Sequence, residues 1–431
     1  MTFDTIIIGA GAAGLAAARA LHDAGRHVVV LEARDRIGGR AWTDTSGTLA
    51  DFPVELGAEF IHGENAATHD LLRAVGLYTL PAPRYDKLRW GAPARLLRDL
   101  DADTRQMLDK LFADYTALRT ADLPADLSLA EYLTRRGYEA AGLAAADVLL
   151  AQTCCAHSAS LSCADLQREM HVDRAGKHEF RIAEGYAALF ANYAAGLDVR
   201  LNTTVAEVNW QPGSARMTTT PGESFTAQHC VITLPVALLA ADTLRFTPEL
   251  PARKQEAIRA FRTEPATKLI YRFRRRLWGA DWVYFAHMGT AARGWTPGYG
   301  RDSSALISFY ITAERARTVD GISDEAARDL GVSELAALLG VDVRLLTGEL
   351  VGFQCVSWAH DPLARGGYAH VPPGQAWARP ALAEPVADTL FFAGEATAYD
   401  SNPQTVHGAL ESGWRAARQI AMRPSASSGS L

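Results

Sequence analysis

The stretch DTIIIGAGAAG at residues 4–14 limits what this chain can fold into more than any other. The apolar run Ile6, Ile7, Ile8 passes straight into Gly9-x-Gly11-x-x-Gly14 and then into an Ala-rich helical stretch from Leu15 to Ala24. The order is therefore strand, tight glycine turn and helix start. Gly9 permits the turn, Gly11 lets the backbone approach a pyrophosphate, and Gly14, next to Ala13, lets helix and strand pack closely. The N–H groups at the helix start face the negative charge. A second strand, His27 to Leu31, ends in Glu32, eighteen residues beyond Gly14. An acid there bonds the ribose hydroxyls of an adenosine and repels a 2′-phosphate, which disfavours NADP and leaves NAD and FAD open. A glycine fingerprint alone also fits an ordinary turn, but here strand, helix and acid are all in register with it.

At 431 residues the chain exceeds what one core usually serves, so two domains are expected, and 48% hydrophobic residues support full cores. A net charge of -6 without a long basic run argues against a nucleic-acid partner. No apolar run approaches a membrane span, and Met1 stands too close to the first strand for a signal peptide. Cys154, Cys155, Cys163, Cys230 and Cys355 are odd in number and lack CxxC spacing, which favours reduced thiols in a cytoplasmic compartment and no structural metal site. The adjacent Cys154 and Cys155 read as small buried residues rather than a redox pair.

Further along, Thr104 to Ala151 has helical spacing, with Leu108, Leu111, Phe112, Tyr115 and Leu118 on one face, and reads as a helical insertion. Residues 180–186 return to turn and helix, and Val199 to Val208 reads as one strand. Residues 229–235 read as a short buried strand ended by Pro235. Strands are expected around 267–273, 282–287, 304–311 and 349–355, with a helix around 324–339, forming the sheet of a second domain before the chain crosses back near Thr389.

Residues 31–40, LEARDRIGGR, residues 54–63, VELGAEFIHG, and residues 390–413, LFFAGEATAYDSNPQTVHGALESG, resemble the FAD-dependent amine oxidase family of monoamine oxidases, polyamine oxidases and flavin-dependent histone demethylases. The resemblance is strong at both ends and thin between about residues 80 and 180. It implies an α/β chain with a Rossmann-like FAD-binding domain and a discontinuous α+β substrate domain that contains a mixed sheet and the helical insertion. The expected division is 1–78, 186–262 and 386–424 for FAD, 79–185 and 263–385 for substrate, and a disordered tail at 425–431.

The same resemblance assigns roles. Gly9, Gly11, Ala13, Gly14, Glu32, Ala33, Arg34, Gly39 and Arg40 would contact the cofactor, with Arg40 a candidate for the pyrophosphate. Gly57, Ala58, Glu59 and Phe60 would lie beneath the flavin, Val205 would meet adenine, and Trp358, Gly394, Glu395, Thr405 and Val406 would line the flavin or its linker. Lys268, in the strand TKLIYRF, would hold a water against the flavin. Taken alone, a strand lysine usually faces solvent. Tyr368 would form an aromatic wall that orients the amine, and His62 could select a polyamine nitrogen.

Two departures from the monoamine oxidase pattern matter. Gly367 stands where those enzymes link a cysteine to the flavin, so FAD is expected to be non-covalent. Thr405 replaces the second cage tyrosine, which leaves one aromatic wall and more room. The implied activity is oxidation of an amine to an imine, hydrolysis to a carbonyl compound plus a smaller amine or ammonia, and reduction of O2 to H2O2. A polyamine or substituted amine is the preferred substrate. A monoamine oxidase, an L-amino-acid oxidase with a pocket arginine for the carboxylate, a lipid-type desaturase and a non-catalytic flavin-binding interaction protein are the rivals. The expected assembly is a monomer or homodimer, with no membrane, metal or nucleic-acid partner.

Overall fold

The structure, a computed structural model, describes residues 2–301 and 304–422, so the expected tail at 425–431 lies outside the described residues. Strand β1 (Thr2–Ile8), helix α1 (Ala12–Asp23) and strand β2 (Val28–Leu31) follow the glycine fingerprint as expected. Asp198–Arg200, β2, β1, Ser224–Ile232 and Leu390–Phe392 lie side by side in parallel. Such a sheet is covered on both faces, which explains the continuous apolar runs. Alternation sends Ile7, Val30 and Phe391 into a core with Leu15, Leu21 and Leu410, while Ile6, Ile8 and Phe392 enter the opposite core with Ala257 and Leu382.

The expected single strand Val199 to Val208 is two strands, Asp198–Arg200 and Val205–Gln211. Between them Asn202 sits at φ +52, a left-handed conformation that asparagine tolerates and that breaks an extended chain. The first piece pairs with β2, and the second joins an antiparallel hairpin with Ser214–Thr219. Residues 179–182 form a strand rather than a turn, paired with Ile61–His62 and Thr79–Pro81, before a helix over Gly185–Ala194. The strand read at 229–235 begins earlier, at Ser224, and ends at Ile232.

A second sheet has seven strands in the order Leu350–Ser357, Ala266–Phe273, Leu306–Thr312, Arg293–Trp295, Tyr284–Ala286, Leu88–Trp90 and Arg95–Leu96. It is mixed, because Tyr284–Ala286 runs parallel to Leu88–Trp90 and the other pairs are antiparallel. Leu269, Tyr271, Phe285 and Phe309 pack on the helix Asp324–Leu339 on one face. Toward the other face, Trp90, Tyr284 and Trp295 meet the helices Ala102–Ala117, Leu129–Arg135 and Ala140–Leu149 of the expected insertion. No helix among the described residues is long and apolar enough to cross a membrane.

The carboxyl-terminal helix Val406–Ala421 packs along α1, with Gly413 at the contact: a Cβ there would overlap the Ala13 carbonyl oxygen and stand 2.8 Å from Ala16 Cβ. Gly413→Val should therefore force the helices apart and cost about 1–3 kcal/mol in denaturant unfolding. Gly348→Ala, in a helix with open space around it, should leave stability unchanged or raise it by about 0.5–1 kcal/mol.

Candidate active site

A cavity of about 840 Å³ runs from the amino end of α1 to the second sheet. At its first end α1 begins on Gly11 with no side-chain cap and no acid in its first turn, so its N–H groups are left to an anionic ligand. Gly14 lies one layer behind: a Cβ there would overlap the Gly9 carbonyl oxygen. Its role is the close packing of turn and helix, and it does not line the cavity. Gly39, at φ +59, approaches Gly11 so closely that a Cβ would stand 3.3 Å from the Gly11 Cα. Glu32 is held in place by the N–H groups of Ala10 (2.7 Å) and Arg34 (2.8 Å). Ala33 and Val205 line the wall beside it.

Arg40 donates to Glu395 Oε1 at 3.1 Å and to the Gly367 carbonyl. Glu395 Oε2 is buried without a partner among the described residues, an acceptor left for something bound in the cavity that it lines. Arg34 lines the same wall, but its guanidinium is engaged by Asp361 at 2.9 Å. Gly394 and Val406 also line the cavity. Thr405 does so too, although its hydroxyl turns back to accept from Gly408 N at 2.9 Å and cap the last helix.

In the middle of the cavity stands Lys268, 3% exposed because its strand lies between two others in the sheet. Its Nζ donates to the Glu55 carbonyl at 2.9 Å and to Glu59 Oε2 at 3.0 Å. Trp295 Nε1 donates to that same carboxylate oxygen at 2.9 Å. Gly57 leaves room for Trp358, whose ring carbon Cζ2 would lie 2.9 Å from a Cβ at that position. Trp358 Nε1 is anchored on the Leu56 carbonyl at 3.2 Å. Burial pushes the Glu55 carboxyl up to about 7, against the opposing pull of the Tyr186 N–H, the Thr43 hydroxyl and Lys268.

Tyr368 is fixed at both sides of its hydroxyl, accepting from Tyr310 at 2.7 Å and donating to the Thr153 carbonyl at 2.8 Å. Phe60, Tyr115, Trp295 and Tyr310 also line the cavity. His62 lines it as well, with its Nδ1 at 2.9 Å from Glu179. Burial alone would raise the Glu179 carboxyl, but His62 and Arg84 outweigh it and bring it down to about 2. Arg84 stacks on Phe60 at 4.2 Å and pairs with Glu179 at 3.3 Å.

Arg84, Glu169, Glu179, Arg293, Trp295 and Tyr310 were not found by sequence reasoning. Arg84, Glu169 and Glu179 come from the segment where the resemblance is thin, Arg293 and Trp295 from a three-residue strand, and Tyr310 from a strand that was expected but whose cavity-facing side was not; only the helical spacing of Phe112 and Tyr115 hinted at a cavity wall. Cys154 lines the cavity too, but burial pushes its thiol up to about 12, far from a reactive thiolate.

Residues 12–421 match the family model for flavin containing amine oxidoreductases. The chain belongs to that family. It is 30% identical to polyamine oxidase 3 of Oryza sativa subsp. japonica, over 98% of this chain and 90% of the relative. It is equally 30% identical to human lysine-specific histone demethylase 2, over 96% of this chain but 53% of that protein. Wild-type putrescine oxidase bound to putrescine shares the fold, with a TM-score of 0.85, 22% identity and coverage of 98% of this chain and 100% of the other.

FAD is the cofactor of this flavin amine oxidoreductase, and the open helix start, the Gly11–Gly39 approach and the orphaned Glu395 oxygen fit a dinucleotide. Gly367 offers no thiol. A Cβ there would meet Cys155 Sγ at 2.7 Å and Ala266 Cβ at 2.8 Å, so a larger residue has no space.

Glu55 gives a stability prediction with a definite sign. Its carboxyl is raised from the ordinary 4.5 to about 7, so its contribution is full below about pH 4.5 and is lost as pH rises through about 7. Glu55→Gln should remove that loss. Between pH 5 and pH 8 the denaturant stability of the native protein should fall relative to the variant by about 1–3 kcal/mol, at about 1.4 kcal/mol per unit.

Proposed function

We propose that this protein is an oxygen-dependent amine oxidase that acts on a polyamine or another substituted amine. Overall, one secondary amine, one O2 and one water become one carbonyl compound, one smaller amine and one hydrogen peroxide. The carbon–nitrogen bond breaks, the carbon is oxidised by two electrons, and oxygen takes up both electrons. Bound FAD would accept the hydride equivalent from the carbon next to nitrogen and hand the electrons to oxygen. The polyamine oxidases among the relatives support the substrate class, as do the acidic side chains Glu169 and Asp173 that line the same cavity.

The observation that carries this reading is the buried Lys268. An ammonium has three N–H donors, and the contacts to Glu55 and Glu59 place two of them. The third remains for a water or for negative charge developing on oxygen. Burial strengthens that interaction, because little water competes with it. Glu59, held in turn by Trp295, keeps the ammonium in one position. Tyr368 and Trp358 present flat apolar walls against which the carbon chain of an amine can be oriented, and their anchored polar atoms fix the rings. Arg34, Arg40, Glu32 and Glu395 would hold the cofactor at the other end. His62, tied to Glu179, would set the polarity of the entrance to the reacting centre.

Peroxide release measured on the FAD-loaded protein with spermine, spermidine, their N-acetyl forms, putrescine, benzylamine, phenethylamine and amino acids tests the proposal. Lys268→Met should lower turnover by about 100-fold or more while FAD stays bound. Turnover should also rise from neutral pH toward pH 9, because a neutral amine is the reactive form. Unchanged turnover in the variant, a flat pH profile, or no peroxide from any amine would overturn it.

A further inference from the structure

We propose that Arg379 is a positioning residue for the cofactor: locked on Asp165, it fixes the path of the segment that presents Gly394 and Glu395 to bound FAD. Flavin binding is measured without turnover, so this inference stands or falls independently of the oxidase reading.

The segment joins the strand Leu390–Phe392 to the helix Val406–Ala421, and its Gly394 and Glu395 line the cavity. Five consecutive peptide carbonyls in it, from Glu395 to Tyr399, accept from guanidinium groups. Arg379 Nη1 reaches the carbonyls of Glu395 at 3.5 Å and Ala396 at 3.1 Å. Arg415, from the helix that follows, takes the carbonyls of Thr397 and Phe392, each at 2.7 Å. Arg168 takes those of Ala398 at 3.4 Å and Tyr399 at 2.7 Å. Among the described residues, backbone N–H groups reach only the Glu395 and Thr397 members of this row, so the arginines supply the donors that buried carbonyls require.

Arg379 is 1% exposed, and its Nε and Nη2 are both held by Asp165, the shortest contact at 2.9 Å, across 214 residues of chain. Asp165 stands on the helix Cys163–Val172, whose Glu169 lines the cavity, and it also takes Arg168 at 2.8 Å. Burial alone would raise the Asp165 carboxyl, but Arg379 and Arg168 outweigh it and hold it below its ordinary range. One carboxylate thus orients two guanidinium forks, and their remaining N–H groups grip the carbonyls of residues 395, 396, 398 and 399. The Glu395 carboxylate also faces the Arg379 charge, and its Oε1 holds Arg40 at 3.1 Å on the cavity wall. Arg379 itself does not line the cavity, so it acts on the cofactor through this segment. A buried ion pair adds little net stability, whereas a planar fork of donors supplies a fixed orientation.

The test follows FAD release from the diluted holoprotein by the rise of free-flavin fluorescence, with the visible circular dichroism of the bound flavin as a spectroscopic signature. Arg379→Met should speed release by about 10-fold or more, and Arg379→Lys, which keeps the charge but not the fork, should restore part of it. Asp165→Asn should change release in the same direction. In a double-mutant cycle the losses should not multiply, so that Arg379→Met combined with Glu395→Gln releases FAD within about threefold of Glu395→Gln alone. Both single variants should alter the flavin dichroism in the same sense. Tyr271→Phe, which removes a buried hydrogen bond to the Ala327 carbonyl on the far face of the second sheet, should lower stability and leave release and dichroism native. Release from Arg379→Met within about threefold of native, losses that multiply fully with Glu395→Gln, or equally fast release from Tyr271→Phe would overturn the inference. Should Arg379→Met fail to fold, Arg379→Lys and Asp165→Asn decide: native release from both overturns it, and faster release with altered dichroism supports it.

Discussion

The node of Glu59, Lys268 and Trp295 ties the two parts of the cavity together. Glu59 comes from a loop early in the chain, Lys268 and Trp295 from two strands of the second sheet, and both of these donate to one carboxylate oxygen. Glu59 and Lys268 side chains are each 4% exposed. A buried ion pair of this kind adds little net stability, yet removing either partner leaves a charge stranded, so its geometry is enforced once formed. The loop 54–60, the strand Ala266–Phe273 and the strand Arg293–Trp295 are thereby held in one arrangement around the cavity.

On either side of that node the two sheets contribute different chemistry. The parallel sheet offers backbone: glycines, an open helix start and the carboxylate of Glu32 at a strand end, which is where α/β sheets receive dinucleotides. The second sheet offers side chains, because one face of its central strands is directed at the cavity and alternation places Lys268, Tyr310, Trp295 and Arg293 there together. The helices over 102–149 close that face and add Phe112, Tyr115 and Leu149 to the wall. Function is thus divided between a part recognised by its backbone and a part recognised by its side-chain charges.

Much of this was legible in the linear chain. The glycine turn, the helix 324–339 and the strand around Lys268 follow from local periodicity, and all the expected site residues except Gly14 line one cavity. Gly14 acts behind the surface by steric necessity. The break at Asn202 was missed because a single left-handed residue leaves no mark on an apolar alternation that continues on both sides. Arg293 was missed because a three-residue strand is too short for its period to be read.

The sequence by itself determined the dinucleotide turn, the strand–helix–strand unit around it and the family, since each depends on residues close together in the chain or on motifs of fixed spacing. Only the tertiary structure decided which charges neutralise one another. Glu59 reaches Lys268 across 209 residues and Glu179 reaches Arg84 across 95, while Nε and Nη1 of the buried Arg293 have no hydrogen-bond partner among the described residues. Compensation of buried charge acts through space at a few ångströms, and residue spacing along the chain carries no record of it.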